Sequence, residues 1–522
     1  MATCADLFCG AGGSSEGFRQ AGFRVTKALD IWAPAVLTHE KNLPDTEAIR
    51  GDILLYAPER LGPVDVLIGS PPCTEFSFAN RGGGGNIEEG MRLVYRFLRF
   101  VYELRPRWWV MENVPRVLDF LPDEVPLRKL GIDKKGSLAI PVRAVLLSAD
   151  FGTPQMRRRA FSGDFPIPSP THTEVKTATT ERRRTLRDVV ETLPDPLQGV
   201  GKGGRAPLAV RDPVYDFDLP IDRLTDHFAR DLVLSDEEVR ENRKAKEDHS
   251  WYGRMSFPDE LDRPARTVMA TNLRVSRETT VIAASTGGYR RLSVREASSV
   301  QGFPITYQWW GATTSLKYKL VGNAVAPPVA FAVARAMLAA AHSPVPERPY
   351  VVASVTEPAP APSERERKRM LPLTRRFREH IPGAKLPGVR VDLDNRGAVP
   401  KGHPVAWRAV LYRGSGKALR QRTVGLAQAR RMLARADGAR TAAFLSELRK
   451  EIRPLVPDAT TLQLIRAERA TGDVTPYVIV DRIGDVVGRH FSGATKEERI
   501  AATLVATAYA CEIANKGSAS LS

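Results

Sequence analysis

The first 165 residues alternate between short apolar strands and helix-like runs. This alternation restricts the fold more than any other feature of the chain. Ala2–Phe8 reads as a strand, glycines follow at 10, 12 and 13, and Glu16–Ala21 is helix-like. Phe23–Leu29 is a second strand ending in Asp30, and Ala33–Asn42 is helical in pattern. Val64–Gly69 (VDVLIG) and Arg107–Met111 (RWWVM) are near-continuous apolar runs, the pattern of strands covered on both faces. Met91–Leu104 between them has helical spacing. Strands that alternate with helices predict an α/β fold with a doubly wound parallel sheet of Rossmann-like type.

Regular patterning weakens after residue 165, so we assign 1–165 to the main α/β body. Pro166, Pro168, Pro170, Pro194 and Pro196 interrupt the next stretch, glycines 199, 201, 203 and 204 mark a loop, and Asp236–Asp248 reads as a surface helix. Residues 166–288 are thus expected to be a small inserted module. Patterning recovers from Ala265, and 289–342 completes the main domain with an alanine-rich helix. Six prolines between Ser343 and Arg369, followed by the run ERERKR, read as a linker over 343–372. Residues 373–522 form a further α+β module. In it Pro404–Tyr412 and Pro476–Val480 read as strands and Leu426–Ala436 as a helix.

Composition narrows the class. The most apolar stretch, Val325–Ala341, contains Pro327, Pro328 and Arg335 and is shorter than the ~20 residues of a membrane span, so no membrane partner is expected. No basic segment precedes the first apolar run, so no signal peptide is expected. Cys4, Cys9, Cys73 and Cys511 form no CxxC pair, which points away from a metal site or disulfide framework and fits a reducing cytoplasm. Lys and Arg number 77 against 60 Asp and Glu, a net of +17. Residues 345–522 carry 31 basic and 18 acidic side chains, against 46 and 42 in 1–344. Such a block attracts a polyanion, most often nucleic acid; the plainer reading is a solvated arginine-rich face.

Six short motifs carry the chemistry. Asp6-Leu7-Phe8-Cys9-Gly10-Ala11-Gly12-Gly13 lies between a strand and a helix, where glycines let a ligand approach the backbone. Asp30 ends the next strand, where a ribose hydroxyl would be held. Without a ligand, the same glycines make an ordinary tight turn. Gly69-Ser70-Pro71-Pro72-Cys73 follows a strand, at the edge where open α/β sheets bind ligands. A cysteine fixed there by prolines reads as a nucleophile or, more blandly, as a buried structural thiol. Glu112-Asn113-Val114 follows RWWVM and puts a carboxyl group at the same edge. Gln155-Met156-Arg157-Arg158-Arg159 is an arginine run or a solvated charge run. Arg295-Glu296 with Gln301-Gly302-Phe303-Pro304, and Gly322-Asn323-Ala324-Val325, complete the set.

In this order the six motifs resemble those of the DNA (cytosine-5) methyltransferases over roughly residues 1–342. The resemblance implies a methyltransferase sheet with a target-recognition insertion, S-adenosylmethionine as cofactor and double-stranded DNA as partner. It implies Cys73 as the nucleophile, with its pKa lowered, and Glu112 as the group that holds cytosine at N3 and its amine. Arg159 would hold the base's O2, and Arg157 would lie near phosphate or the catalytic pocket. Phe8, Asp30 and Asp52 match positions for the adenosine, the ribose and the adenine amine. Ile31 falls where the family often carries a larger side chain over the adenine, and Asn323 near the methionine end. Asp6, Gly10, Gly12, Ile53, Pro72 and Val325 complete the implied cofactor site. Residues 77–92 would close over the flipped base.

The chain departs from the family in having Ser70-Pro71-Pro72 before the cysteine, and Met156 and Arg158 in the arginine strip. A monomer at the bacterial nucleoid is expected, with the basic module after 372 as a possible extra DNA contact. A tRNA cytosine-5 methyltransferase and a catalytically idle DNA-binding protein are the alternatives. The insertion and basic tail favour DNA over tRNA. Intact Cys73, Glu112 and Arg159 oppose the idle protein.

Overall fold

The computed structural model describes residues 1–76, 85–198, 208–247, 255–270, 274–352, 354, 357–361, 378–383, 386–395, 406–414, 419–434, 436–456 and 476–519. The chain divides into two compact units, Met1–Glu366 and Arg367–Ser522.

The first unit opens with β1 (Thr3–Leu7), α1 (Gly13–Gln20), β2 (Arg24–Asp30), α2 (Ala33–Asn42), β3 (Glu47–Arg50), β4 (Val66–Gly69), α3 (Ile87–Leu104) and β5 (Trp108–Asn113). A short hairpin of β6 (Glu124–Pro126) and β7 (Ser137–Ala139) precedes β8 (Val142–Leu147) and β9 (Arg158–Asp164). Seven strands form one sheet in the order β3-β2-β1-β4-β5-β9-β8. β1 to β5 are parallel, as expected, but β9 runs antiparallel to both β5 and β8. The sheet is therefore mixed rather than all-parallel. Residues 148–157, between β8 and β9, are too few for a crossover helix, so that pair can only be antiparallel.

Strand alternation assigns each side chain to a face. Ala5, Leu7, Leu67, Trp109 and Met111 pack with α3 in one cluster. Cys4, Val66, Ile68 and Val110 pack with Phe18 of α1 and with Val329, Ala330 and Val333 of the last helix of this unit. Asp6 and Glu112 share the parity of the second set, which sends both carboxyl groups toward α1.

The stretch after β9 holds β10 (His172–Thr173), β11 (Glu181–Arg182), α4 (Leu186–Val190), β12 (Ala209–Arg211), β13 (Asp218–Pro220) and α5 (Asp236–Glu247). It continues through β14 (Val281–Ala283), β15 (Tyr289–Arg291), α6 (Val294–Val300), α7 (Thr314–Asn323) and α8 (Pro327–Ala340). Leu186, Val210, Leu219 and Ile282 of the expected insertion share one core with Val300, Phe303, Trp309 and Val321. The expected boundary at 288 falls in the turn of the β14–β15 hairpin, whose first strand places Ile282 in that shared core. The glycine loop expected at 199–204 lies outside the described residues.

The apolar run 314–340 is two core helices separated at Ala324–Ala326, 83% buried over its most apolar window. Gly13 and Gly17 let α1 meet α8 closely: a Cβ on either would lie 2.0 Å from the Val325 carbonyl oxygen or 2.4 Å from that of Pro327.

The first part of the expected linker is laid against this unit. Tyr350 N–H donates to the Gln20 carbonyl, Glu357 pairs with Lys41 at 2.7 Å, and Lys317 Nζ donates to the Pro360 carbonyl. Prolines excluded helix and strand there, but they did not exclude contact.

The second unit has a four-stranded antiparallel sheet, β16 (Arg378–His380), β17 (Val389–Asp394), β18 (Arg408–Arg413) and β19 (Arg420–Thr423), in sequential order. Among the described residues four helices follow: α9 (Leu426–Leu433), α10 (Gly438–Glu451), α11 (Pro476–Phe491) and α12 (Lys496–Ala519). Residues 500–508 of α12 are buried all round, as the central helix of a small core must be. Pro476–Val480, expected as a strand, is the first turn of α11. Its apolar residues continue as Ile483, Val486, Val487 and Phe491, a helical period that a five-residue window hides.

Candidate active site

Register places the motifs along one edge. Leu7 pairs with Leu29 and with Gly69, Asp30 with Arg50, and Gly69 with Met111. The residues just beyond these pairs are therefore neighbours at the C-terminal ends of the strands: the glycine loop after β1, Asp30 and Ile31, Gly51 and Asp52, Ser70 to Cys73, and Glu112. That edge is where open α/β sheets bind ligands.

The loop after β1 turns through three left-handed residues, Phe8, Gly10 and Gly12 (φ 56°, 53° and 92°). Asp30 fixes it: Oδ2 accepts the Gly10 N–H at 2.9 Å and Oδ1 the Trp32 N–H at 2.8 Å. Burial raises the Asp30 carboxyl, and these two N–H groups pull it back. A Cβ on Gly10 would meet nothing, so the space over the loop is open, and Ile31 stands 65% exposed beside it. Asp6 lies under the loop. Its Oδ2 accepts from Ser15 Oγ at 2.6 Å, while its buried Oδ1 has no hydrogen-bond partner. Burial raises Asp6 to about 7. Asp52 accepts the Leu54 N–H at 2.9 Å, and Ile53 is buried in the α3 cluster. The open space, the exposed Ile31 and the carboxylate with lone pairs to spare fit an adenosine-bearing cofactor.

Cys73 is half-buried and Pro72 exposed. The thiol is held on a short tether: Ser70 N–H donates to the Leu7 carbonyl, and Asn113 Nδ2 donates to the Pro71 carbonyl at 3.0 Å. Glu112 forms an ion pair with Arg159 Nε at 3.1 Å, yet its buried Oε1 accepts no well-aligned hydrogen bond. Glu112 also borders a small void with Ser14, Gly69 and Ala330, so the first turn of α1 reaches the carboxyl's neighbourhood. Burial raises the Glu112 carboxyl, against the pull of Arg159 and Arg157. Burial also pushes the Cys73 thiol up; Arg159 and Arg157 lower it and Glu112 raises it. The expectation of a lowered thiol pKa is thus reversed here: two arginines at this edge do not outweigh burial.

The three arginines have three fates. Arg158 is exposed and Arg159 faces Glu112. Arg157 is buried, and its guanidinium donates to the carbonyls of Val268, Gly322 and Ala324 at 3.1–3.2 Å. It stands within electrostatic reach of Cys73 and Glu112, beside the expected catalytic pocket, and those bonds also make it a clasp on three distant carbonyls. Gln155 joins the clasp. It receives the Val268 N–H at 3.1 Å and bonds Gln301, whose amide bonds the Ala324 carbonyl. Asn323 is exposed at the end of α7, and the Val325 carbonyl rests against Gly13.

Four positioning groups were not singled out from the sequence: Asn113, Gln155, Gln301 and Tyr307. The last donates its buried hydroxyl to the Ala11 carbonyl. The first three lie inside the quoted motifs, and Tyr307 lies three residues beyond Pro304. Of the expected closing loop, 77–84 lie outside the described residues and 87–92 are the first turns of α3. Among the described residues no group of three His, Cys, Asp or Glu is placed to hold a metal.

A doubly wound sheet with a cofactor loop after β1, a cysteine after β4 and a glutamate ending β5 defines a Rossmann-like methyltransferase. The chain belongs to the C-5 cytosine-specific DNA methylase family, whose model matches residues 2–339. It is an S-adenosylmethionine-dependent methyltransferase.

Its relatives include the Type II methyltransferase M.AquIA of a Picosynechococcus species, 33% identical over 220 residues, 36% of this chain and 87% of that protein. M.FnuDI of Fusobacterium nucleatum is 27% identical over 341 residues, 63% of this chain and 92% of that one. Among solved structures, the S. pombe Dnmt2 methyltransferase aligns over 65% of this chain and 99% of its own, at 13% identity and a TM-score of 0.43.

Proposed function

We propose that this enzyme methylates carbon 5 of a cytosine flipped out of duplex DNA, at a specific short sequence, through a covalent bond from Cys73 to carbon 6. We read it as the modification enzyme of a Type II restriction–modification system, working in the cytoplasm at the nucleoid. The kinship to Type II methyltransferases supports DNA over tRNA as substrate.

The observation that carries the reading is the tether of the Cys73 loop to the strand bearing Glu112, with Arg159 paired to that carboxyl. Carbon 5 of cytosine is a poor nucleophile until sulfur adds at carbon 6 and makes the ring an enamine. Addition moves one proton, from the Cys73 thiol to N3 of the base. Glu112 serves as its carrier, because burial has raised its carboxyl toward neutrality. Arg159 fixes that carboxyl and takes the base's O2. A resting thiol suits this order, since its proton leaves as the sulfur adds to the base.

Phe8, Asp30, Ile31 and Asp52 hold the adenosine half of S-adenosylmethionine, with Asp6, Gly10, Gly12, Ile53, Pro72 and Val325 shaping the site and Asn323 near the methionine end. Bound there, the cofactor supplies the electrophilic methyl. Loss of the carbon 5 hydrogen as a proton to water then expels the Cys73 sulfur as thiolate, and Glu112 carries the N3 proton back to it.

The test is duplex DNA carrying 5-fluorocytosine, whose fluorine cannot leave as a cation. With S-adenosylmethionine present, a denaturation-resistant protein–DNA adduct is expected from the wild type and none from Cys73→Ser. An adduct that survives Cys73→Ser, or one that forms on tRNA and not on DNA, overturns the reading.

A further inference from the structure

Residues 395–436 contain ten Lys or Arg and no Asp or Glu. The run is bounded by Asp394 and Asp437, and it builds β18, β19 and α9 of the second unit. It lies beyond residue 339, where the family match ends.

The second unit sorts its charges by place. On α11, Arg482 and Arg489 pair with Glu447 and Glu451 of α10 at 2.6–3.1 Å. In the sheet, Arg390 and Arg408 pair with Asp392 and Asp394 at 3.3 Å. By contrast Arg413 at the end of β18, Arg422 on β19, and Arg430 and Arg431 on α9 are exposed and have no ion-pair partner among the described residues. β19 is exposed along its whole length and is the outer strand of its sheet. Arginines on an outer strand can serve only to prevent strand-to-strand aggregation. That explanation stops at the strand, whereas the acid-free run continues through α9. Cations without acids, spread over a hairpin and the helix after it, suit a ligand that presents many negative charges at once. Phosphate groups of a duplex do so, one per ≈ 1.7 Å of helix axis.

We propose that the β18–β19 hairpin and α9 form a sequence-independent contact surface for the phosphate backbone of duplex DNA. This partner is distinct from the reacting cytosine. The surface adds affinity and leaves the choice of site to the first unit, because phosphate contacts position and base contacts specify. The proposal rests on the methyltransferase reading only for the choice of DNA as the probe, and the adduct test of Cys73 stands apart from it.

The experiment uses the full chain and a mixed-sequence duplex, with affinity measured by fluorescence anisotropy over a range of salt. In the quadruple variant Arg413→Gln, Arg422→Gln, Arg430→Gln and Arg431→Gln, the salt slope should shrink by ~0.9 for each lost contact, ~3.6 if all four touch phosphate, with binding at least roughly tenfold weaker near 0.1 M salt. The same four changed to Lys should keep the wild-type slope. The double variant Arg482→Gln and Arg489→Gln, from the paired face, should also keep it. A wild-type slope in the quadruple Gln variant overturns the proposal. So does an equal loss from the paired face, which would make net charge rather than this surface responsible. Tighter binding of an RNA duplex of equal length overturns DNA as the partner. Self-association of the wild type that the Gln variant loses would assign the surface to a second copy of the chain instead.

Discussion

The two units differ in how they use part of their cations. In the first, one set is buried and committed. Arg157 bonds three carbonyls, and the fully buried Arg295 bonds the backbone of Thr225 and Tyr307. Lys246 meets Asp259 at 2.8 Å, and Arg290 meets Glu296 through two bonds of 2.7 and 2.8 Å. In the second unit, Arg422 of β19 and Arg430 and Arg431 of α9 face water. A buried cation must have every partner in place, so it fixes geometry at a high cost of error. An exposed one fixes nothing and remains available to a ligand. The first arrangement suits a site that must align a thiol, a carboxyl and a cofactor. The second suits adhesion to a charged polymer.

Arg157→Met tests the contrast most strongly. It leaves the carbonyls of Val268 and Gly322 without this donor and takes one of two donors from Ala324, and each buried acceptor left alone costs ~1–3 kcal/mol. The thermal transition of the first unit should fall by several degrees. Arg430→Met, on the exposed face, should stay within about 0.5 kcal/mol of the wild type. Equal small effects in calorimetry would mean that the clasp does not hold the motifs together.

The next effect depends on pH. Asp6 has an ordinary value of 3.8 and is raised to about 7 by burial. The folded state then binds the proton more tightly than the unfolded chain, so the first unit loses stability as pH rises from about 4 to about 7. The loss is complete above that window and reaches at most a few kcal/mol. Asp6→Asn should flatten this part of the profile and raise stability at pH 8 relative to the wild type. Denaturant midpoints at pH 5 and pH 8 measure it. An unchanged difference between the two pH values would mean that Asp6 is ionised at little cost.

These cases show what the sequence could disclose. The strands and the six motifs were legible because apolar runs and glycine turns are local signals. The three arginines of 157–159 looked alike as a charge run, although the period of two already separates 158 from its neighbours. What could not be read was the target of each: the carbonyls that Arg157 binds belong to residues more than a hundred positions away. The raised Cys73 thiol was illegible for the same reason, since burial comes from tertiary packing and outweighs the visible positive charge. Pro476–Val480 misled because five residues fit either period, and only Ile483 and Val486 decide it. The linker's contacts with Gln20, Lys41 and Lys317 could not be read, because proline content reports missing regular structure, while those contacts are made by the partners' folds.

The smallest effect concerns Tyr307, where the first unit's buried, committed groups reach the cofactor loop. Its ring is wedged between Phe303 and Trp309, with centroids 4.7 and 5.4 Å away. Its carbonyl accepts from Arg295 at 2.8 Å, and its hydroxyl donates to the buried Ala11 carbonyl in the middle of the glycine loop. Tyr307→Phe keeps the ring and removes only that donor. A buried acceptor left alone costs ~1–3 kcal/mol, and the loop can relax to recover part of it. Relaxation turns the loop away from the shape that Asp30 and the left-handed glycines give it, so cofactor binding carries the difference. We expect S-adenosylmethionine to bind about fivefold more weakly, close to 1 kcal/mol, by calorimetry. KM for the cofactor should rise in proportion, while kcat at saturation and DNA affinity stay at wild-type values. An unchanged cofactor affinity would show that the glycines and Asp30 shape the loop unaided. A lower kcat at unchanged KM would place the influence of Tyr307 on the reaction rather than on the loop, and the division between committed and available groups would then need a third class.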